Sequence, residues 1–334
     1  MNDLVLTSLV LITYEQKEYI FEALNSVFEQ TYPKIELIVS DDGSKNFFVE
    51  EIIDYIEKKK SKSIVSYKVN KNLYNLGTVK NLNKAIGMSN GEYIFVLAGD
   101  DVLYDKNVVR DYVDFACKNN AMVVSGIVMN YSSDLKHFLS TTPSNVLFEK
   151  IVRMEPLDLY LLCAQGINVL TGCAAVYSRR TLQENGYFDE EYFLLEDVTF
   201  ASRFLRNGNR IHFYNRPYVK HRYGGVTAIT SKKNKLFRND LCLMYKKEFL
   251  PYRDILGERL TRKVEFDLGV VEAQSFKERL RIFFTYREFV LGYFSLQVKI
   301  IITHYLQKIG LYYLLSLLVK LRRKIIKISL IRRG

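Results

Sequence analysis

The strongest constraint on this chain is a rhythm in its first hundred residues. Four short apolar runs, at residues 4–13, 35–40, 64–69 and 93–97, each end in a polar cluster. Between them lie stretches with apolar residues at three- and four-residue spacing, at 18–28, 52–60 and 78–88. Near-continuous apolar runs rich in Val and Ile read as strands buried on both faces, and the intervening period reads as helix. Strand–helix alternation of this kind predicts an α/β fold with a mostly parallel, Rossmann-like sheet and helices on both faces. Ligands of such sheets bind beyond the carboxyl ends of the strands. The residues to weigh are therefore those that follow each run: Thr13–Tyr14–Glu15, Asp41–Asp42–Gly43–Ser44, Asn75–Leu76–Gly77, and Asp100–Asp101.

Each cluster admits a plain reading beside a chemical one. Asp-Gly is a common turn pair, so Asp41–Asp42–Gly43 can be a turn, or a carboxylate that accepts hydrogen bonds from a nucleotide. Asp100–Asp101 can be a solvated turn or helix cap. Alternatively, two adjacent carboxylates whose repulsion a hard divalent cation relieves would hold Mn2+ or Mg2+ against a diphosphate. Gly77 before a helix start permits close backbone approach, and Lys80 adds a charge where a helix N-terminus already favours phosphate. Glu196–Asp197 opens a later helix, where acids favour the positive end, or where one acts as a general base.

The charge is placed unevenly. The chain carries a net +11, and residues 277–334 alone hold 13 Lys and Arg against 2 Glu. Residues 1–276 are therefore neutral, and the excess lies in a C-terminal tail. Leu314, Leu317, Leu318, Leu321, Ile325 and Ile328 recur at helical spacing, with Lys320, Arg323, Lys324 and Lys327 on another face. That is the form of an interfacial helix on an anionic membrane. An ordinary packing helix, including a homodimer contact, is the competing reading. Nucleic acid is disfavoured, because stacking aromatics are not interleaved with the charges. The apolar run 309–319 is too short to span a bilayer, which needs about 20 residues. Leu4 begins a strand rather than a secretion signal. Cys117, Cys163, Cys173 and Cys242 make no CxxC or zinc spacing and read as free thiols of a reducing compartment.

Taken together, the motifs resemble family 2 glycosyltransferases of the GT-A fold. The resemblance rests on Thr13-Tyr14, Gln30-Thr31-Tyr32-Pro33 leading to Asp41-Asp42-Gly43-Ser44, Asn75-Leu76-Gly77 with Lys80-Asn81, and Gly91-Glu92-Tyr93-Ile94 leading to Asp100-Asp101. It continues through Gly186-Tyr187-Phe188-Asp189-Glu190, Glu196-Asp197 and Arg203–Gly208. It implies a GT-A domain over residues 1–230 and a helical, basic, membrane-associating region over 231–334. It further implies an inverting enzyme that moves a sugar from a nucleotide diphosphate sugar, commonly a UDP-sugar, to a hydroxyl of a saccharide or polyprenyl-linked acceptor. Such an enzyme would work in surface-polysaccharide synthesis at the cytoplasmic face of the plasma membrane.

By position, the resemblance implies that Thr13, Tyr14 and Glu15 line the nucleotide pocket and that Asp42, more than Asp41, holds the base. Asn75, Gly77 and Lys80 would border the nucleoside and diphosphate. Asp100 would be the chief metal carboxylate, with Asp101 beside it and His221 as a further metal ligand. Asp197 would be the base, with Glu196 beside it on the acceptor side. Two departures stand out: Ala98 occupies a position often held by Asp, and Lys80 one often held by Arg. Two other classes remain to be separated. A nucleotidyltransferase would want a Gly-rich, Arg-containing loop after the first strand, where this chain has Thr-Tyr-Glu-Gln. A non-catalytic membrane scaffold would not need carboxylates behind three strands.

Overall fold

The computed structural model describes residues 4–223 and 234–308. The basic stripe predicted between Leu314 and Ile328 and the apolar run 309–319 lie outside the described residues.

Nine strands form one sheet: β1 (Thr7–Thr13), β2 (Ile35–Asp41), β3 (Ile64–Lys71), β4 (Tyr93–Ala98), β5 (Val102–Leu103), β6 (Val123–Tyr131), β7 (Phe138–Thr142), β8 (Ala175–Ser178) and β9 (Ile211–Arg222). Their order is β3-β2-β1-β4-β8-β6-β9-β5, with β7 paired to β6. The first four strands are mutually parallel, as the alternation predicts. The far half is mixed: β8 runs antiparallel to both β4 and β6, whereas β9 is parallel to β6 and antiparallel to β5.

Alternate residues of each central strand supply two cores, because successive side chains leave a strand on opposite faces. Leu9, Leu11, Leu37, Val39, Phe95 and Leu97 face α1 (Ile20–Phe28), α2 (Val49–Lys59) and α4 (Val108–Asn119). Val10, Ile38, Ile94 and Val96 face α3 (Thr78–Gly87) and, further along the sheet, α6 (Pro156–Ala164) and α8 (Asp197–Arg206). Two short helices, α5 (Asn145–Ile151) and α7 (Arg179–Glu184), cover the mixed half.

After residue 233 the chain continues as α9 (Asn234–Met244), a π-turn over Tyr245–Phe249, α10 (Arg253–Glu272), α11 (Phe276–Thr285) and α12 (Arg287–Lys308). Met244, Tyr245, Phe249, Leu256, Val264 and Leu268 enter the same buried cluster as α6 and α8. Helices α9 and α10 thus pack on the same core as the sheet. Among the described residues, no helix is long and apolar enough to cross a membrane.

The chain winds from β1 outward through β2 to β3, then returns to place β4 on the other side of β1. That reversal opens a crevice at the carboxyl ends of β1, β2 and β4.

Candidate active site

Three strand ends meet at the crevice. Asp42 N donates to Thr13 O at 2.9 Å and Gly99 N to Ile12 O at 2.8 Å, which ties the ends of β2 and β4 to that of β1. Thr13 is buried there and Tyr14 half-buried. Glu15, exposed, takes a positive φ of 54°; its N–H donates to Ser44 Oγ and its carboxylate accepts from Lys45 N. Thr13, Gln16, Asp41, Ser44 and Phe47 line a small hollow beside this junction.

The first acid pair is buried and engaged with its own loops. Asp41 accepts from the backbone N–H and the hydroxyl of Ser44, which fixes the Asp-Gly turn. Asp42 accepts from Asn72 Nδ2 (3.1 Å), Leu76 N (2.8 Å) and Gly77 N (2.9 Å). Burial nonetheless raises the pKa of both acids, because the donors do not fully replace water. Asp42 thus sets the shape of the 75–77 loop, with both oxygens already engaged by protein donors. Asn75, half-buried, also accepts from Gly77 N, and Lys80 projects into solvent. Gly77 has a φ of 91°, and a Cβ there would lie 2.5 Å from Phe193 O. The loop behind β3 therefore abuts the loop that carries Glu196 and Asp197.

The second acid pair follows β4. Burial, then the facing Asp101, push the Asp100 carboxyl up to about 6. Asp101 is fully buried and bonded to His221 Nδ1 (2.9 Å) and Arg222 N (3.1 Å). Burial disfavours the imidazolium, but Asp101 and Asp100 outweigh it and hold the His221 pKa above its ordinary value. Arg222 clamps this turn: its Nε donates to Asp100 O at 2.7 Å, and its guanidinium also reaches Ser133 O and Glu22.

The third pair opens α8. Asp197 Oδ2 accepts from Asn168 Nδ2 (2.9 Å) and Gly172 N (3.1 Å), and its Oδ1 from Val198 N (2.6 Å). Burial raises the pKa of Asp197, and these donors oppose the rise. Glu196 lies against Gly172, and burial together with Asp197 pushes its pKa well above the ordinary value. Three protein N–H donors thus hold the Asp197 carboxylate in place at the start of α8.

Cys173 stands between the pairs. Burial first, then the fields of Asp101, Asp197, Glu196 and Asp100, raise its thiol pKa well above the ordinary value. Gly172 N donates to Asp197 and the neighbouring Cys173 thiol lies within 4.8 Å of Asp101, so acids far apart along the chain converge on one turn. Asp101, Cys173 and His221 each offer a ligand atom within 4.8 Å of the others, a donor set that fits a divalent ion. Spacing alone brought Asp42, Asp100 and Asp197 forward, and the resemblance added His221. It passed over Cys173, Asn168, Gly172 and Asp240, whose carboxylate on α9 accepts from Phe193, Leu194 and Leu195 N–H. Buried acids also occur far from the site. Glu36 bonds Ser8 and Asn90, next to the start of β1, and only stitches that end of the sheet.

A mostly parallel sheet with acids at its switch point, and a second acid pair nearby, is the arrangement of a GT-A fold. The chain belongs to glycosyl transferase family 2, whose sequence model matches residues 8–186, just over half of its length. An uncharacterized glycosyltransferase of Haemophilus influenzae is 24% identical over 282 residues, covering 83% of this chain and 81% of the relative. The poly-beta-1,6-N-acetyl-D-glucosamine synthase of Staphylococcus epidermidis is 27% identical over 196 residues, 58% of this chain but only 44% of that larger protein. Among solved structures, S. aureus TarS in complex with UDP-GlcNAc superposes with a TM-score of 0.56 at 20% identity, covering 84% of this chain and 80% of that one. A mannosyltransferase of Pyrobaculum calidifontis, in complex with GDP-Man and Mn2+, also gives 0.56 at 14% identity, covering 96% and 88%. At these identities the structures speak to the fold alone.

Proposed function

We propose that this glycosyltransferase transfers a sugar from a nucleotide diphosphate sugar, a UDP-sugar in the first instance, to a hydroxyl of a saccharide or polyprenyl-linked acceptor, with inversion at the anomeric carbon. The observation that carries the reading is that one turn touches both acid pairs: Gly172 N donates to Asp197, and the Cys173 thiol lies within 4.8 Å of Asp101. A metal-type acid pair faces a base-type pair across one crevice. The solved relatives' complexes with UDP-GlcNAc and with GDP-Man and Mn2+ support a nucleotide-sugar donor and a divalent ion. The synthase relative supports polysaccharide assembly.

In this reading Thr13, Tyr14 and the hollow beside Asp41 receive the nucleoside. Asp42 holds the 75–77 loop that borders it, and Lys80 extends a cation toward the diphosphate. Asp100, Asp101 and His221 would hold Mn2+ or Mg2+, which would supply positive charge beside the diphosphate. Asp197 takes the proton from the acceptor hydroxyl as its oxygen attacks the anomeric carbon and the bond to the diphosphate breaks. Asn168, Gly172 and Val198 keep the Asp197 carboxylate ionised and aimed. Glu196, beside it, binds the acceptor or positions the base. A single displacement suffices, so no nucleophilic side chain is required. Asp197→Asn should lower kcat by at least about 10²–10⁴-fold, the usual worth of general-base help, with donor KM nearly unchanged. Release of nucleoside diphosphate in the presence of acceptor measures it, and near-normal turnover would remove Asp197 from the mechanism.

We further propose that the chain from α11 onward rests on the inner face of the plasma membrane. Phe276, Phe284, Leu291, Phe294, Leu296 and Val298 are exposed on α11 and α12, and Phe284 is 81% exposed. They lie in the segment that holds the whole net positive charge. Apolar side chains beside Lys and Arg suit an anionic lipid surface. Phe284→Ser with Leu291→Ser should reduce co-sedimentation with phosphatidylserine vesicles. Full retention by this variant would refute the attachment.

A further inference from the structure

Cys173 has no part in the chemistry just described, yet it sits at its centre. It lies in a 3-10 turn, Gly172–Ala174, that leads into β8, so a short strand fixes its position. Its thiol, the Asp101 carboxylate and the His221 ring offer ligand atoms within 4.8 Å of one another. Bonds of ~2.0–2.3 Å place the ligands of one ion within about 4 Å of each other, so small side-chain rotations would close the set. His221 Nδ1 and an Asp101 oxygen lie 2.9 Å apart, so an ion bound by both would take the place of the proton they share.

We infer that Cys173 gives the ion site a sulfur ligand, so that the chain binds thiophilic divalent ions such as Zn2+, Cd2+ and Co2+ through Asp101, Cys173 and His221. This inference rests on the reading of Asp100, Asp101 and His221 as an ion site. Carboxylate and imidazole alone would serve Mn2+ or Mg2+, whereas thiolate favours softer ions. On binding, the thiol gives its proton to solvent and the sulfur lone pair forms the metal bond, with no change of oxidation state. A thiophilic ion would then compete with Mn2+ for the same residues.

The test is a Co2+ titration of the full-length, metal-stripped chain, followed by near-ultraviolet absorption and calorimetry. A thiolate-to-cobalt charge-transfer band is expected for the wild type and for Cys117→Ser, whose exposed thiol serves as control. The band should vanish in Cys173→Ser. Cd2+ affinity should fall there by more than the ~10-fold that even an outer partner of a ligand is worth, and Mn2+ affinity should fall less. Co2+ bound with no such band, or a band that survives in Cys173→Ser, overturns the sulfur ligand while the ion site stands. If neither Co2+ nor Mn2+ binds the wild type, the ion site falls and the inference with it.

Discussion

Replacing Asp100 by Asn should make the metal-free protein more stable while it disables the ion site. Burial and the adjacent Asp101 raise the Asp100 carboxyl from its ordinary 3.8 to about 6. The folded state therefore binds this proton more tightly than the unfolded state does. Stability from this group is fully present below pH ~4, falls as pH rises toward 6, and stays lost above it. Each pKa unit corresponds to about 1.4 kcal/mol, so the charged carboxylate destabilises the fold at pH 8 by at most about 3 kcal/mol. Asn keeps the shape and cannot ionise.

Urea unfolding in EDTA should therefore show Asp100→Asn more stable than wild type at pH 8, by up to about 3 kcal/mol. The difference should disappear near pH 4. Adding Mn2+ at a hundredfold excess over its Kd should stabilise the wild type by about 2.7 kcal/mol and the variant far less. Equal stability of the two proteins at pH 8, or equal protection of both by Mn2+, would refute the account of a strained acid pair awaiting a cation.

Two further outcomes follow from the site. Asn168→Leu removes a hydrogen bond of 2.9 Å to Asp197. That bond favours the ionised carboxylate, so without it the acid limb of the kcat/KM profile should move to higher pH; an unmoved limb denies Asn168 its positioning role. Gly77→Ala must adopt a φ of 91° with its Cβ 2.5 Å from Phe193 O. The strain should destabilise the fold by about 1–3 kcal/mol and raise donor KM; calorimetric unfolding with a donor titration checks both, and an unperturbed variant removes the case for a rigid loop.

How much of this was legible in the sequence depends on whether the signal was local. The central parallel strands were, because burial on both faces leaves a nearly unbroken apolar run, as in the fully buried β2; the edge strand β3 is mostly exposed and is marked only by a partial run. Their ends shifted only slightly: the first strand begins at Thr7 rather than Leu4, and Asp41 is the last residue of β2. The acids were legible because they follow those strands. The far half of the sheet was not, since β8 has four residues and β9 pairs with β6 through register shifts that periodicity does not record. Cys173 meets Asp101 and His221 only through that half, so no spacing rule marks it. Asp240 is one acid in a helix and looks like a solvated charge until its three backbone donors are known.

Asp240 also changes what the downstream helices are for. Phe193, Leu194 and Leu195 present three successive N–H groups just before Glu196, and one buried carboxylate on α9 accepts them all. Nearby, Glu248 accepts from Tyr192 Oη at 3.3 Å and pairs with Arg206 of α8 at 3.2 Å, with both side chains largely buried. A buried ion pair is weak support for stability, but its directional partners resist rotation of the elements it joins. On its other sides the same loop meets Gly77 and, through Asp197, Asn168 and Gly172. The position of the proposed base is thus fixed jointly by residues inside the family-matched segment and by helices beyond it. Helices α9 and α10 thus support the loop of the proposed base, whereas the exposed apolar side chains of α11 and α12 are the ones proposed to meet a lipid surface. A truncation that separates the two roles must therefore fall after Glu272, because any earlier cut removes part of the scaffold that holds the 193–197 loop.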